Sequence, residues 1–350
     1  VKQWIVVCLV AGLAGVLHAP IAAAQTLSGA GSSAAAPIYR AWARQYQKAV
    51  GTAVAYEPAG SSAGVKMVRA GEVAFGASDV APDEAELAAS GLAIFPVAIT
   101  GIVPVVNLPK VSDGQLRLSG EVLARIYMGE IDKWSAPEIG QLNPGVALPE
   151  LPIKLIVRSD GSGTTYNFAD YLAKVHPAWK SRFGVKTTIA WPASVIGVKG
   201  SEGVVRAVAQ TAGAIGYVDF GYVADNKLAG VQMRSADGEF VRAGVLAFKA
   251  ALAHSDWSSR GTFGATLTNA AGKSSWPITM GTFVLVPRVT DKPEQTLAAL
   301  KFFAWAFNHG DALVQEASFV RLPDRVQAAA FKVITGVRDK SGRPIGLNVL

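Results

Sequence analysis

The sequence predicts an α/β architecture of two lobes joined by two crossings, and three observations carry that expectation. Short β-like runs alternate with helical ones along most of the 350 residues, the pattern of a largely parallel sheet with helices packed against it. Two long β-rich runs, at 95–107 and 276–286, stand apart from the short ones. One leaves a first α/β set and the other returns to it. The length favours about two domains, and a 50% apolar composition supplies a sizeable core. One large α/β domain is the other architecture this pattern allows.

Residues 1–24 read as a secretory signal peptide. Lys2 is the basic start, 4–17 is an almost unbroken apolar run, and Ala22-Ala23-Ala24 supplies an A-x-A site before Gln25. The run is shorter than the roughly 18–20 apolar residues of a membrane helix, and no later stretch reaches that length. Cys8, the single cysteine, lies inside the run, whereas a lipid-attachment cysteine would follow it. Cleavage would leave no thiol for a disulfide, a thiolate metal site or a nucleophile.

From Gln25 onward, residues 27–28 lead into a helix over 35–50, then a strand over 52–57. A helix over 62–70 and a strand over 73–77 follow. The run at 95–107 carries Pro96, Gly101 and Pro104 and is too long for one ordinary strand. Beyond it come a strand at 153–157, helices at 164–173 and 203–212, a strand at 214–218 and a helix at 243–253. After the second long run the chain is helical over 293–308 and 323–333.

Charged residues make up 17% of the chain, with a formal net charge of +7 and a pI near 9.4. Lys and Arg are scattered, with no run of four, so the charge reads as solubility and mild attraction of anions, not a nucleic-acid stripe. His18, His176, His254 and His309 fall in no metal-site spacing, and neither metal nor cofactor is expected.

The informative residues sit in turns at the ends of strands. Gly29-Ala30-Gly31-Ser32-Ser33-Ala34, Gly60-Ser61-Ser62-Ala63-Gly64 and Arg158-Ser159-Asp160-Gly161-Ser162-Gly163-Thr164-Thr165 each precede a helix, and Gly76-Ala77-Ser78-Asp79 ends a strand. A helix N-terminus offers unpaired N–H groups and about half a positive charge, and hydroxyls add donors. Each turn alone is ordinary helix capping. Together, with Arg158 able to grip two oxygens in its planar fork, they point to a tetrahedral oxyanion. Asp160 is placed to hold that guanidinium. Asp79 would repel a fully ionised ligand but accept a hydrogen bond from one that carries a proton, as phosphate does near neutral pH and sulfate does not.

Other readings fit some of the same residues. Gly60-Ser61-Ser62-Ala63-Gly64 matches G-x-S-x-G, with Ser62 as a hydrolase nucleophile, although no histidine stands in a context that marks it as partner. Gly29-Ala30-Gly31-Ser32-Ser33-Ala34 matches G-x-G-x-x-A, with Glu57 as a ribose acid, which leaves Asp79 and Arg158 unexplained. Sulfate, molybdate or a phosphate ester are alternative ligands.

In order and in register, the chain resembles the phosphate-binding protein family of periplasmic ABC transporters. The resemblance runs from Gly29-Ala30-Gly31 through Ala36-Pro37-Ile38-Tyr39, then Gly60-Ser61-Ser62-Ala63-Gly64-Val65-Lys66, Phe75-Gly76-Ala77-Ser78-Asp79, Ile126-Tyr127-Met128-Gly129 and Leu142-Asn143-Pro144-Gly145. It continues through Asp160-Gly161-Ser162-Gly163-Thr164, Gly213-Ala214-Ile215-Gly216-Tyr217-Val218 and Trp276-Pro277-Ile278-Thr279. It implies a two-lobed periplasmic-binding-protein (Venus-flytrap) fold, with 25–97 plus 279–350 as one lobe, 98–278 as the other, and a two-segment hinge at 95–101 and 276–282. It implies high-affinity binding of inorganic phosphate through Ser33, Ala34, Ser61, Asp79, Arg158, Ser162, Gly163 and Thr164, with Asp160 holding Arg158. The implied protein is a non-enzymatic periplasmic monomer, without cofactor or nucleic-acid partner, that delivers phosphate to an inner-membrane ABC permease and its ATPase. The family's Thr-Phe pair in the first turn is Ser33-Ala34 in this chain: the hydroxyl is kept and the ring at the cleft rim is lost.

Overall fold

A computed structural model describes residues 26–80, 84–191 and 194–349; the signal peptide expected at 1–24 lies outside them. Among the described residues, nine strands form one mixed sheet. In chain order they are β1 (Leu27–Gly31), β2 (Val54–Glu57), β3 (Phe75–Ser78), β4 (Leu92–Asn107), β5 (Lys154–Arg158), β6 (Ile196–Val198), β7 (Ala214–Asp219), β8 (Ala229–Gly230) and β9 (Thr279–Pro287). Their order across the sheet is β2-β1-β3-β9-β4-β7-β5-β6, with β8 also pairing with β4.

The run at 95–107 corrects the expectation drawn from its length. It belongs to a single strand of 16 residues, because each half has its own partner. Residues 92–101 pair antiparallel with β9 and residues 102–107 pair antiparallel with β7. Pro96 stands opposite Phe283, where the register shifts, the kind of position where a strand tolerates proline. Pro104 has no N–H to pair, and its carbonyl accepts from the N–H of Val231 at 2.9 Å. All of β4 but its last residue is buried, as a strand covered on both faces must be. The first lobe is therefore the β2-β1-β3-β9 side and the second the β7-β5-β6 side, with β4 running through both.

Helices follow the sequence expectation closely where the apolar period is long. Helix α1 (Ala36–Val50) has Pro37 in its first turn and buries Ile38, Tyr39, Trp42, Ala43 and Tyr46, a three- and four-residue repeat. It lies against the helix Pro293–His309, where Tyr39 meets Phe303 edge-on at 5.9 Å. Phe75 adds its ring to Phe303 at 4.9 Å, so the first lobe has an aromatic core beneath β1 and β3. Helix α2 (Ser61–Arg69), helix α3 (Gly163–Val175) and helix α4 (Gly200–Gln210) each begin at the cleft. In the second lobe Phe168 of α3 stacks on Tyr217 of β7 at 4.3 Å, which packs α3 onto its sheet. Short helices such as Gly120–Tyr127 and Pro177–Arg182 are not foreseen from the sequence, because six to eight residues carry too little period to be seen. Among the described residues no helix is long and apolar enough to cross a membrane.

Candidate functional site

The turn after β1 lies against the end of β3: the Ser32 N–H donates to the Ala77 carbonyl at 3.0 Å. This brings Ser32 to Asp79, and its hydroxyl donates to Asp79 Oδ2 at 2.7 Å. The turn after β2 lies alongside, with the Gly60 N–H on the Gly31 carbonyl at 2.7 Å. Gly60 has φ +99°, and a β-carbon there would stand 2.6 Å from Asp160 Oδ2, so only glycine fits.

Ser61 opens α2 and is buried. Its Oγ accepts from the Asp79 N–H at 3.2 Å and the Gly163 N–H at 3.1 Å. A hydroxyl has two acceptor positions and one hydrogen, so Ser61 is left as a donor. The second-lobe turn closes against it. A β-carbon on Gly163 would lie 2.5 Å from Ser61 Oγ, and the Asn167 amide donates to the Asp79 carbonyl at 2.7 Å.

Arg158 ends β5 and is 3% exposed. Its Nε and Nη2 donate to the two oxygens of Asp160 at 2.7 and 2.5 Å. That bidentate pair fixes the guanidinium plane and leaves the Nη1 side for a ligand. Burial alone would raise Asp160, but the Arg158 guanidinium and the Gly200 N–H hold its carboxyl below the usual range. Ser162 caps α3 by accepting from the Thr165 N–H at 3.1 Å, and its hydrogen too is left to donate. The Thr164 hydroxyl is buried with no partner among the described residues.

Asp79 is 3% exposed, and its Oδ1 has no hydrogen-bond partner among the described residues. Burial pushes it up to about 6, against the opposing pull of the Ser32, Thr282 and Ser61 hydroxyls and the Arg158 guanidinium. At neutral pH it is mainly a carboxylate with one free accepting oxygen. Leaving such an atom unpaired costs about 1–3 kcal/mol, more for a charged group. The structure thus gathers the hydroxyls of Ser61, Ser162 and Thr164, the Arg158 fork and the Asp79 acceptor into one buried cluster. Ser33 stands at its edge, where a cavity of about 320 Å³ also reaches Asp160. Ala34 is buried behind it with only its backbone to offer.

The alternative motifs fare differently. Ser62 sits on the cleft rim and donates to Thr187 Oγ1 at 3.1 Å. Nδ1 of His254 and Nδ1 of His309 each bond a carbonyl one helical turn back, Ala250 and Trp305. Glu57 lines the same rim cavity as Ser33, away from Asp79. Among the described residues no group of His, Cys, Asp and Glu could hold a metal ion.

The PBP superfamily domain matches residues 18–308. The phosphate-binding protein PstS of Xylella fastidiosa is 42% identical over 297 residues, covering 85% of this chain and 81% of that one. The chain belongs to the PstS family. PstS of Pasteurella multocida is 43% identical over 324 residues, covering 92% of this chain and 94% of its own. A solved phosphate-binding protein of Stenotrophomonas maltophilia, 18% identical, superposes with a TM-score of 0.63 over 87% of this chain and 93% of that one, which places the two-lobed fold.

Membership in the PstS family does not by itself point to four residues that the structure adds to the cluster. Ser32 holds the far oxygen of Asp79, Asn167 holds its carbonyl, and Ser201 reaches Ser33 across the cleft. Asp219, at the end of β7, is fully buried, and neither of its oxygens has a hydrogen-bond partner among the described residues. Burial first, and then the nearby Asp79 charge, raise it well above the usual range. Ser32 is visible in its turn but reads as a cap. An aspartate before Phe220 likewise reads as an N-cap, and nothing local distinguishes it.

Proposed function

We propose that this protein binds inorganic phosphate with high affinity in the periplasm and delivers it to an inner-membrane ABC permease and its ATPase for import. Phosphate would lie between the lobes, taking donors from Ser33, Ser61, Arg158, Ser162 and Thr164 and from the backbone of Ala34 and Gly163. Asp79 would accept the proton that phosphate carries. The observation that carries this reading is Asp79 Oδ1, a buried acceptor with no partner among the described residues beside hydroxyls left to donate. PstS relatives above 40% identity over most of the chain support it.

The lobes of this reading are 25–97 with 279–350 and 98–278, hinged where β4 and β9 cross. The Gly163 N–H is engaged by Ser61 in this closed arrangement, so it would reach the ligand as a shared bond. The protein acts as a monomeric carrier and performs no chemistry on its ligand. A phosphate ester is the second reading, favoured by the cavity that opens on Ser33.

Calorimetric titration of the anion-free protein tests this. Phosphate is expected to bind one-to-one, and sulfate at least about a hundredfold more weakly, since an unpaired buried charge costs several kcal/mol. Asp79→Asn, whose amide can donate, is expected to shrink that gap to about tenfold or less. Equal binding of both anions by the wild type would remove Asp79 from the role of proton acceptor. An absence of phosphate binding, with uptake of a sugar or nucleoside phosphate, would favour the ester.

A further inference from the structure

Ser61 and Ser33 face the same cleft, but their hydroxyls are oriented by different means. Ser61 has both acceptor positions filled by backbone N–H groups that flank it, those of Asp79 and Gly163. Ser33 has no such pair within the first lobe. Its oxygen is met from the other side of the cleft, by the Ser201 N–H at 3.0 Å and by Ser201 Oγ at 2.9 Å. Ser201 is the second residue of α4, 168 positions away in the sequence, and 1% exposed.

We propose that Ser201 is a positioning residue for Ser33: its N–H and hydroxyl fill the two lone pairs of Ser33 Oγ, so that the single Ser33 hydrogen is directed to the bound anion, and only while the lobes are closed. This rests on the phosphate reading given above.

Either hydroxyl can be the donor in the bond between them. An anion settles its direction, because an anion accepts and Ser33 must then donate to it. Ser201 is left to donate to Ser33, and a directed chain runs from the start of α4 through Ser201 and Ser33 to the ligand. Such chains strengthen one another in a low-dielectric interior, and the N-terminus of α4 adds its partial positive charge. Two further bonds hold the register. Tyr222 donates to the Ser33 carbonyl at 3.1 Å, and the Gly200 N–H donates to Asp160 Oδ1 at 3.2 Å. The residue before Ser201 is thereby tied to the carboxylate that grips Arg158. One short turn couples the first-lobe donor to the second-lobe cation, and opening the lobes would uncouple both. The effect therefore falls on release of the anion more than on its capture.

Stopped-flow release and calorimetric affinity for phosphate would be measured on the purified, anion-free protein and on Ser201→Ala, Ser201→Thr, Ser33→Ala and the double alanine variant. Ser201→Ala is expected to speed release about tenfold, the scale of one hydrogen bond near a charge, with association changed less than about twofold. Ser201→Thr, which keeps the hydroxyl, is expected to restore most of that loss. In the Ser33→Ala background the Ser201→Ala change is expected to have no further effect, which a general packing role would not produce. Ser201→Cys, a poorer donor of similar size, gives the same reading should the alanine variant not fold. Release from Ser201→Ala at the wild-type rate, or an equal acceleration with and without Ser33, overturns the proposal while leaving phosphate binding intact. A wild-type protein that takes no phosphate overturns the functional reading itself, and this inference with it.

Discussion

The first-lobe face of the cleft presents Ser33, Ser61 and Asp79, with the carboxylate as its formal charge. The second-lobe face presents Arg158, clamped by Asp160 at 2.7 and 2.5 Å, and the N-terminus of α3. In the proposed phosphate site the Arg158 face would attract any oxyanion, and the Asp79 face would test whether the anion carries a proton. Each would be incomplete alone: a carboxylate without the cation would repel the ligand, and a cation without the carboxylate would take sulfate as readily as phosphate. On that reading, division of the two tasks between lobes would make closure the step at which selectivity is exerted.

Removal of the attracting face breaks this comparison most strongly. Arg158→Ala leaves Asp160 buried beside an unpaired position, and truncating one side of a desolvated charge pair costs about 2–5 kcal/mol. Phosphate affinity is expected to fall by about a thousandfold, read by calorimetry. Arg158→Lys is expected to recover little, because an ammonium cannot grip Asp160 and the ligand in one plane.

The discriminating face has a signature in the empty protein. Burial lifts Asp79 from 3.8 to about 6, so the folded state holds a proton that the unfolded chain has lost. The stability of the anion-free protein is therefore greatest below about pH 4 as far as Asp79 is concerned. It declines as the pH rises toward 6 and is level above that. A shift of about two units is worth about 3 kcal/mol. Asp79→Asn is expected to flatten that slope and to be more stable at pH 7 in urea titration, and an unchanged slope would assign the decline to Asp219 instead.

The rim offers the smallest effect and the sharpest contrast with the buried cluster. Arg40 of the first lobe meets Glu202 of the second at 3.3 Å, but both side chains are about half exposed. Solvent screening leaves such a pair little energy. Arg40→Ala is expected to change phosphate affinity by less than about twofold, and by less still in high salt.

Much of the cluster can be read along the chain. Gly60, Ser61, Asp79, Arg158, Asp160, Ser162 and Thr164 stand in turns whose chemistry is local: a helix start needs a cap, a tight turn needs glycine, and an arginine two residues from an aspartate can pair with it. The long helices are legible for the same reason, since an apolar period of three and four over fifteen residues, as in α1, marks one buried face of a helix and fits no strand. The strand at 92–107 is not. Its length exceeds what one pairing partner supports, and nothing in its own residues says that β9 takes one half and β7 the other.

The sequence by itself thus determined the elements, the turn residues and the kinds of group available to an anion, because those depend on neighbours within a few positions. Which backbone and hydroxyl groups meet each serine was decided by the tertiary structure. Ser33 meets Ser201 and Ser61 meets Gly163 across 168 and 102 positions. Asp219 loses water only because the sheet order carries β7 beside β4. Contacts of that range follow from strand pairing and lobe closure, where the free energy belongs to the whole core rather than to any short stretch of chain.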